Sequence, residues 1–373
     1  MKMKMAALAA ILAGTLVNSS PNSNYLLYVG TYGQGVYAYR YDAVSEKLQP
    51  LDMVAKVVNP SFLATDREHK FLYAASEVEG DKPGAVAGFA INRSTGALTD
   101  LNSRSSEGLA PCHLAVDHTG KMLIAANYTS GSVPVFPIEH DGKLGPLSGL
   151  MTATGQGPDK NRQEGPHAHE TVFSADNRFA YVPDLGLDEI RIYKVDAAHA
   201  KLTPNDPPFA KTDPGSGPRH MALSHDGKFV YVIHELIPQV AVFARDSQSG
   251  ALTHLQTIPS VPDGFKGVSN PAEILLDHAG KFVYASNREY GAIAVFTVDH
   301  ATGKLTRIQV IETGFDQPRG VELDPSGKLL FVGDQKGNKF ILFGVDQSTG
   351  KLTLKDGSYA MPSPVSFLFI PAS

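Results

Sequence analysis

The chain has 373 residues, 42% of them hydrophobic, and its 33 lysines and arginines against 38 aspartates and glutamates leave a net charge of −5. That is enough chain for a large buried core or two domains, and the lack of any basic block or stripe excludes nucleic acid as the partner. A single cysteine, Cys112, excludes an intramolecular disulfide and a cysteine-based zinc site, and it reads as a small buried residue.

At the N-terminus, Lys2 and Lys4 precede an apolar stretch from Ala6 to Val17, and a polar run to Asn24 follows. A charged start followed by an apolar stretch too short to span a bilayer reads as a signal peptide over residues 1–23. Export then places residues 24–373, as one domain with no membrane contact in the mature form, in the periplasm or outside the cell. Without a functional leader the protein is cytoplasmic.

Next come three strands, YLLYVG (25–30), VYAYRY (36–41) and LQPLDMV (48–54). From residue 63 onward one pattern recurs six times: LATDREHKFLYAAS, LAVDHTGKMLIAAN, TVFSADNRFAYVPD, MALSHDGKFVYVIH, ILLDHAGKFVYASN and VELDPSGKLLFVGD. Each copy is two apolar strands joined by a turn centred on Asp-x-x-Gly-Lys or a close variant. A third strand of V-x-x-F character follows each (VAGFAI, VPVFPI, IRIYKV, VAVFAR, IAVFTV, FILFGV). After most of these a turn such as STGALT or ATGKLT leads into a weaker fourth strand. Four antiparallel strands repeating about every fifty residues predict an all-β, seven-bladed β-propeller. The seventh blade is split. Its last three strands lie at residues 25–54, and its first, PVSFLFI (364–370), lies at the C-terminus, so the termini close the ring.

The first strand of each blade, strand A, lines the central channel, and a proline introduces each: Pro60, Pro111, Pro166, Pro218, Pro271, Pro318 and Pro364. Proline has no N–H and suits a strand start. The next residues converge on one mouth, among them Cys112, His113, His167, His169, Glu170, Arg219, His220, Glu273, Arg319 and Gly320. Counting outward from each A–B turn sets Arg219 opposite Glu235, Glu273 opposite Arg288, Arg319 opposite Gln335, His113 opposite Asn127 and His169 opposite Asp184. Cross-strand pairs of this kind can also be plain blade-holding ion pairs. The Asp-x-x-Gly-Lys ends read as turn chemistry alone.

Arginines, histidines and carboxylates at one mouth suit an anionic, oxygen-rich substrate. Guanidinium groups grip carboxylate or phosphate, Glu or His can activate water, and a cation can stabilise an oxyanion. Arg162 is a further candidate for this set. No G-x-S-x-G is present, so covalent catalysis is not favoured. His167 and His169, alternating on one face, could bind a metal, but no third ligand is specified by spacing, and neither metal nor cofactor is assigned. GTYGQG and TGQGP do not sit at strand-to-helix turns and are not phosphate loops.

The motifs YVGTY, PCHLAVD, ANYTSGSV, RQEGPHAHE, YVPDLGLDEI, GPRHMALS, HEL, NPAEI, SNR and QPRGVELDPSGK together resemble the lactonase-type seven-bladed propellers. That family holds bacterial 6-phosphogluconolactonases of propeller type and fungal carboxymuconate cycloisomerases. The resemblance implies hydrolysis of a sugar lactone, with catalytic roles at His167 or His169, Arg219, Glu235 and Arg288. The combined reading makes His169, Arg219, Glu235 and Arg288 catalytic, with Glu235 or His169 activating the water. His113, His167, His220, Glu273, Arg319 and Asn127 would bind a small, anionic lactone. If the leader is functional, an unphosphorylated or carboxylated lactone is expected in place of a phosphorylated one. The rivals are a muconate-type cycloisomerase and a non-catalytic periplasmic binding propeller; the oligomeric state is left open.

Overall fold

Strands B and C of each repeat are nearly continuous apolar runs, as FVYVIH and VAVFAR show, because both faces of each sheet are covered by neighbours. Strand D is the exposed outer edge; in Lys47–Lys56 half-buried and exposed positions mix and none is fully buried. A computed structural model of the protein describes residues 23–78 and 80–373. The signal-peptide segment lies almost wholly outside the described residues.

Seven small antiparallel sheets stand around a central channel, and the only helical element among the described residues is a 3₁₀ turn at Ala197–His199. Blade 1 pairs Pro364–Pro371 with Asn24–Thr31, as the split repeat predicts, followed by Gly35–Asp42 and Lys47–Lys56. Blades 2 to 7 follow in chain order, and their A strands are Pro60–Thr65, Pro111–Val116, Val172–Phe173, Pro218–Leu223, Asn270–Leu276 and Pro318–Leu323. The A strands of blades 5, 6, 7, 1, 2 and 3 touch one another in that order around the channel.

The core is divided. Seven hydrophobic clusters each fill the wedge between two adjacent blades. The wedge between blades 7 and 1 joins Phe331, Phe340 and Leu342 to Leu27, Val29 and Tyr41, so the ring is sealed by the same packing that builds it. At the base of the blades, Asp117, Asp277 and Asp324 each accept backbone N–H groups at the fourth and fifth residues beyond, as in Asp117 with Lys121 and Met122, both 2.8 Å. The recurrent aspartates are therefore turn formers.

A second recurrent device joins neighbouring blades. The strand-B tyrosines Tyr28, Tyr73, Tyr181 and Tyr284 donate to the carbonyls of Gly96, Gly142, Gly250 and Gly350 in the C–D turn of the next blade, at 2.8 to 3.1 Å. Gly350 has φ +73°, and a Cβ there would fall 2.3 Å from the Phe282 ring, so the turn requires glycine for both backbone and space. Tyr231, the equivalent in blade 5, is buried with no partner for its hydroxyl.

Removing one such hydrogen bond costs about 1 kcal/mol. Tyr284→Phe is expected to lower the unfolding free energy by that amount in a denaturant titration, and Tyr231→Phe by less. Equal losses in the two variants would show that the clasp contributes nothing.

Candidate active site

The A strands do not run straight into the channel. The register with strand B slips just after the proline, between Pro60 and Phe62, Pro111 and His113, Pro218 and His220, Pro271 and Ile274, and Pro318 and Val321. Such a bulge inserts an unpaired residue and re-aims its side chain. In blade 5 that residue is Arg219.

The slip corrects the facing pairs expected from counting. Glu235 donates its N–H to Gly217 O, yet the Arg219 guanidinium reaches back to its carboxylate, Nε to Oε2 2.8 Å. Asn127 lies opposite Pro111, Ala168 opposite Asp184, and Gln335 donates to Gln317 O. Glu273 and Arg288 do not meet. Arg288 is opposite Asn270, and its Nη2 lies 2.9 Å from Glu235 Oε2, whereas Glu273 Oε1 lies 2.8 Å from His220 Nδ1 of blade 5. The ion pairs thus cross between blades. Depth is also corrected: Arg219 and His220 are not at an open rim but 2% and 3% exposed inside the channel.

Glu235 is the hub of an ion-pair cluster. Arg162 Nη2 holds its Oε1 at 2.5 Å, while Arg219, Arg288 and, at 3.7 Å, His169 Nε2 surround Oε2. Burial pushes this carboxyl up, but Arg288, Arg219 and Arg162 outweigh it and hold it well below the ordinary carboxylate range. Burial, opposed by Glu235, brings Arg288 down to about 10, so it stays cationic at neutral pH. Arg319 lies beside this hub without bonding to Glu235, its Nη2 donating to Tyr32 OH at 2.8 Å, and Tyr32 donating in turn to Glu77. Arg162 is half-exposed and comes from the long connection before blade 4, where buried Gln163 pins the loop to Leu185 O and Asp188.

Three imidazoles meet in the channel next to this hub. The ring of His220 sits 5.3 Å from that of His113 and 5.2 Å from that of His169, and Phe62 stacks on His113 at 3.7 Å. Burial first, then neighbouring cations and imidazoles, holds all three histidines well below the ordinary imidazole value, so they are neutral at pH 7. Two carboxyls share the strand level of His113 and His220, and a third lies deeper. Glu170 lies 3.6 Å from His113 Nε2 and accepts from Met221 N; Glu273 bonds His220; Glu322 follows two residues beyond Gly320 on the same face of its strand. Burial raises all three carboxyls, Glu273 to about 7 and Glu322 to about 8; Glu273 adds to the rise at Glu170 and Glu322, while Arg219 opposes it at Glu273.

Three expected residues stand elsewhere. Asn127 is wholly buried in blade 3, its amide nitrogen bonded to Ser106 O and Ser132 Oγ, so it fixes a loop. His167 stacks on Tyr128 at 4.7 Å, its Nδ1 on Tyr128 O and its Nε2 3.2 Å from Glu164, while His169 meets Tyr128 edge-on and turns its Nε2 toward Glu235. The two histidines therefore do not converge on one point, and among the described residues no three His, Cys, Asp or Glu side chains are grouped to hold a metal. Asp184 accepts His167 N at 2.7 Å, and burial raises it to about 6. Tyr32, Glu77, Tyr128 and Glu322 were missed. The first three end B strands or start the following turns at the same mouth, a position that strand counting could have flagged.

The family model of the lactonase seven-bladed β-propeller matches residues 26–369. The chain belongs to that family. It is 34% identical to the 6-phosphogluconolactonase of Bacillus subtilis over 296 residues, 78% of this chain and 82% of the relative. It is 32% identical to that of Formosa agariphila over 291 residues, 76% and 81% of the two chains. Among solved structures, the periplasmic gluconolactonase of Pseudomonas aeruginosa superposes with a TM-score of 0.88 at 30% identity, covering 94% of this chain and all of the other.

In this lactonase-family channel, Glu322 has no hydrogen-bond partner among the described residues beyond Leu323 N. Its carboxyl, raised from 4.5 to about 8 by burial and then by Glu273, is neutral in the folded state where the unfolded chain would ionise it. The stability it allows is intact below about pH 4.5 and is lost as pH rises through about 8. Glu322→Gln is therefore expected to melt with the wild type in acid and above it in alkali. A melting difference that does not grow with pH would refute this.

Proposed function

We propose that the protein hydrolyses the ring ester of an aldonolactone, binding it at the arginine-lined mouth of the propeller channel. The observation that carries this reading is the convergence of Arg162, Arg219 and Arg288 on the single carboxylate of Glu235, with Arg319 beside them. Each guanidinium has five N–H donors. Arg319 directs one at Tyr32, and Arg162 uses only Nη2 for its two contacts, so both retain donors for hydroxyl, phosphate or carboxylate oxygens. These free guanidinium donors suit an anionic or oxygen-rich substrate.

The chemistry needs two things, a stabilised oxyanion and a deprotonated water. Arg219 and Arg288 are fixed in place before the substrate arrives: Arg219 Nη1 is anchored on Ala272 O and Arg288 Nε on Asn270 O. Preorganised donors of this kind stabilise the tetrahedral oxyanion without reorganisation. The neighbouring neutral imidazoles are in the protonation state that accepts a proton from water. Glu235 acts as the counter-ion that aims the arginines, because three guanidiniums suppress its basicity. Ring opening leaves a hydroxy acid, which ionises at neutral pH and releases one proton per turnover.

The likeness to a periplasmic gluconolactonase supports an unphosphorylated gluconolactone, and the likeness to 6-phosphogluconolactonases supports its 6-phosphate. Acid release at constant pH from both compounds, corrected for spontaneous hydrolysis, decides between them. Turnover of at least one is expected. Arg219→Gln is expected to lower kcat/KM by roughly 10²–10³-fold with circular dichroism unchanged. No turnover on either lactone, or a fully active Arg219→Gln variant, would sink the proposal.

A further inference from the structure

We infer that His220, oriented by Glu273, is the general base that takes the proton from the attacking water. The inference rests on the lactonase reading and assigns one role within it. Its basis is geometric. His220 Nδ1 lies 2.8 Å from Glu273 Oε1, while its Nε2 is buried and has no protein partner. A carboxylate on Nδ1 fixes the tautomer with the proton on that nitrogen and leaves the Nε2 lone pair unused. His220 follows Arg219 directly in strand A, so the base and the oxyanion-stabilising guanidinium are carried by one bulge. The ring lies 5.2 Å from that of His169, which itself faces Glu235.

The other candidates are less suited. Both oxygens of Glu235 are held by guanidiniums. His169 turns Nε2 toward that same carboxylate at 3.7 Å, which favours the proton on that nitrogen, and its Nδ1 faces the Cys112 Sγ at 3.7 Å. His113 has its Nε2 on Glu170 and its Nδ1 beside Thr171. His220 alone of the three combines a carboxylate on one nitrogen with an unpartnered second nitrogen.

The step balances as follows. Water oxygen bonds to the lactone carbonyl carbon, and its proton passes to His220 Nε2. The carbonyl electron pair moves onto oxygen beside the arginines. Collapse of this intermediate breaks the bond from that carbon to the ring oxygen, and His220 returns its proton to the departing oxygen. The product is a hydroxy acid, and the imidazole is again neutral.

The positioning carboxylate gives the assignment a pH signature. Glu273 faces His220 and Arg219 from blade 5, His113 from blade 3, Glu170 from blade 4, and Glu322 and Arg319 from blade 7. His220 faces Arg219, Glu235, Arg288, Arg319, His113 and His169. Burial raises Glu273 to about 7, so the ionised partner that holds Nδ1–H appears as pH rises through that value. Wild-type kcat on glucono-1,5-lactone is therefore expected to climb through about pH 7.

The test measures kcat and KM against pH for the wild type, His220→Gln and Glu273→Gln. His220→Gln is expected to lower kcat by about 10²–10⁴-fold with KM little changed. Glu273→Gln keeps a hydrogen-bonding group of the same shape and is expected to lose the rise in kcat near pH 7. A His220→Gln enzyme within about threefold of wild-type kcat, well inside the range a lost base produces, overturns the assignment. So does a Glu273→Gln profile that superimposes on that of the wild type. If His220→Gln fails to fold, the Glu273→Gln profile decides by itself. A wild-type protein that opens no lactone removes the lactonase reading and this assignment with it, whereas wild-type turnover retained in His220→Gln removes the assignment alone.

Discussion

Ring closure is the constraint on which the rest of this protein depends. Pro364–Pro371 must travel the whole length of the chain to pair with Asn24–Thr31. Until it does, blade 1 lacks its inner strand and the wedge between blades 7 and 1 is open. A propeller blade cannot bury both faces alone; each needs a neighbour on either side, and only a closed ring supplies one to every blade. Closure also fixes the channel. It brings seven A strands, far apart in sequence, close enough that an arginine of blade 5, one of blade 6 and one from the loop before blade 4 share a single carboxylate.

The channel is polarised along its length. Arg219, Arg319 and His169 share one strand level, the neutral imidazoles of His113 and His220 share the next with the carboxyls of Glu170 and Glu273, and Glu322 lies deeper. Burying so many ionisable groups is costly, and breaking a buried pair leaves an uncompensated charge. The arrangement persists because the pairs run between blades: Glu235 of blade 5 is tied to blade 6, and Glu273 of blade 6 is tied back to blade 5. The same low dielectric that makes these groups expensive separates their proton affinities, which is the condition for acid–base chemistry at neutral pH. Consistency of pattern therefore holds in the wedges and turns and is violated in the channel, as expected where function and stability compete.

Backbone bulges convert a generic strand start into a site. Without the slip after Pro218, Arg219 would alternate with His220 across the sheet and one of the two would face a wedge core. With it, both point into the channel. The prolines contribute by removing a donor at the position where the ladder is interrupted.

The sequence by itself determined the seven repeats, the split blade, the turn chemistry of the aspartates, and which ends of the strands share a mouth. These follow from periodicity and from turn residues whose conformational demands are local. It also placed Arg219, Glu235, His169 and Arg288 at one opening, because hairpin counting is accurate to about a residue. Tertiary structure alone decided the register and the partners. A one-residue bulge leaves no mark in the hydrophobic pattern, so Glu273 and Arg288 look like partners when each is paired with a residue of the preceding blade. It alone decided depth, turning rim residues into buried ones and retiring Asn127 to a loop. Distances between blades depend on how seven wedges pack, and no local stretch of chain encodes that.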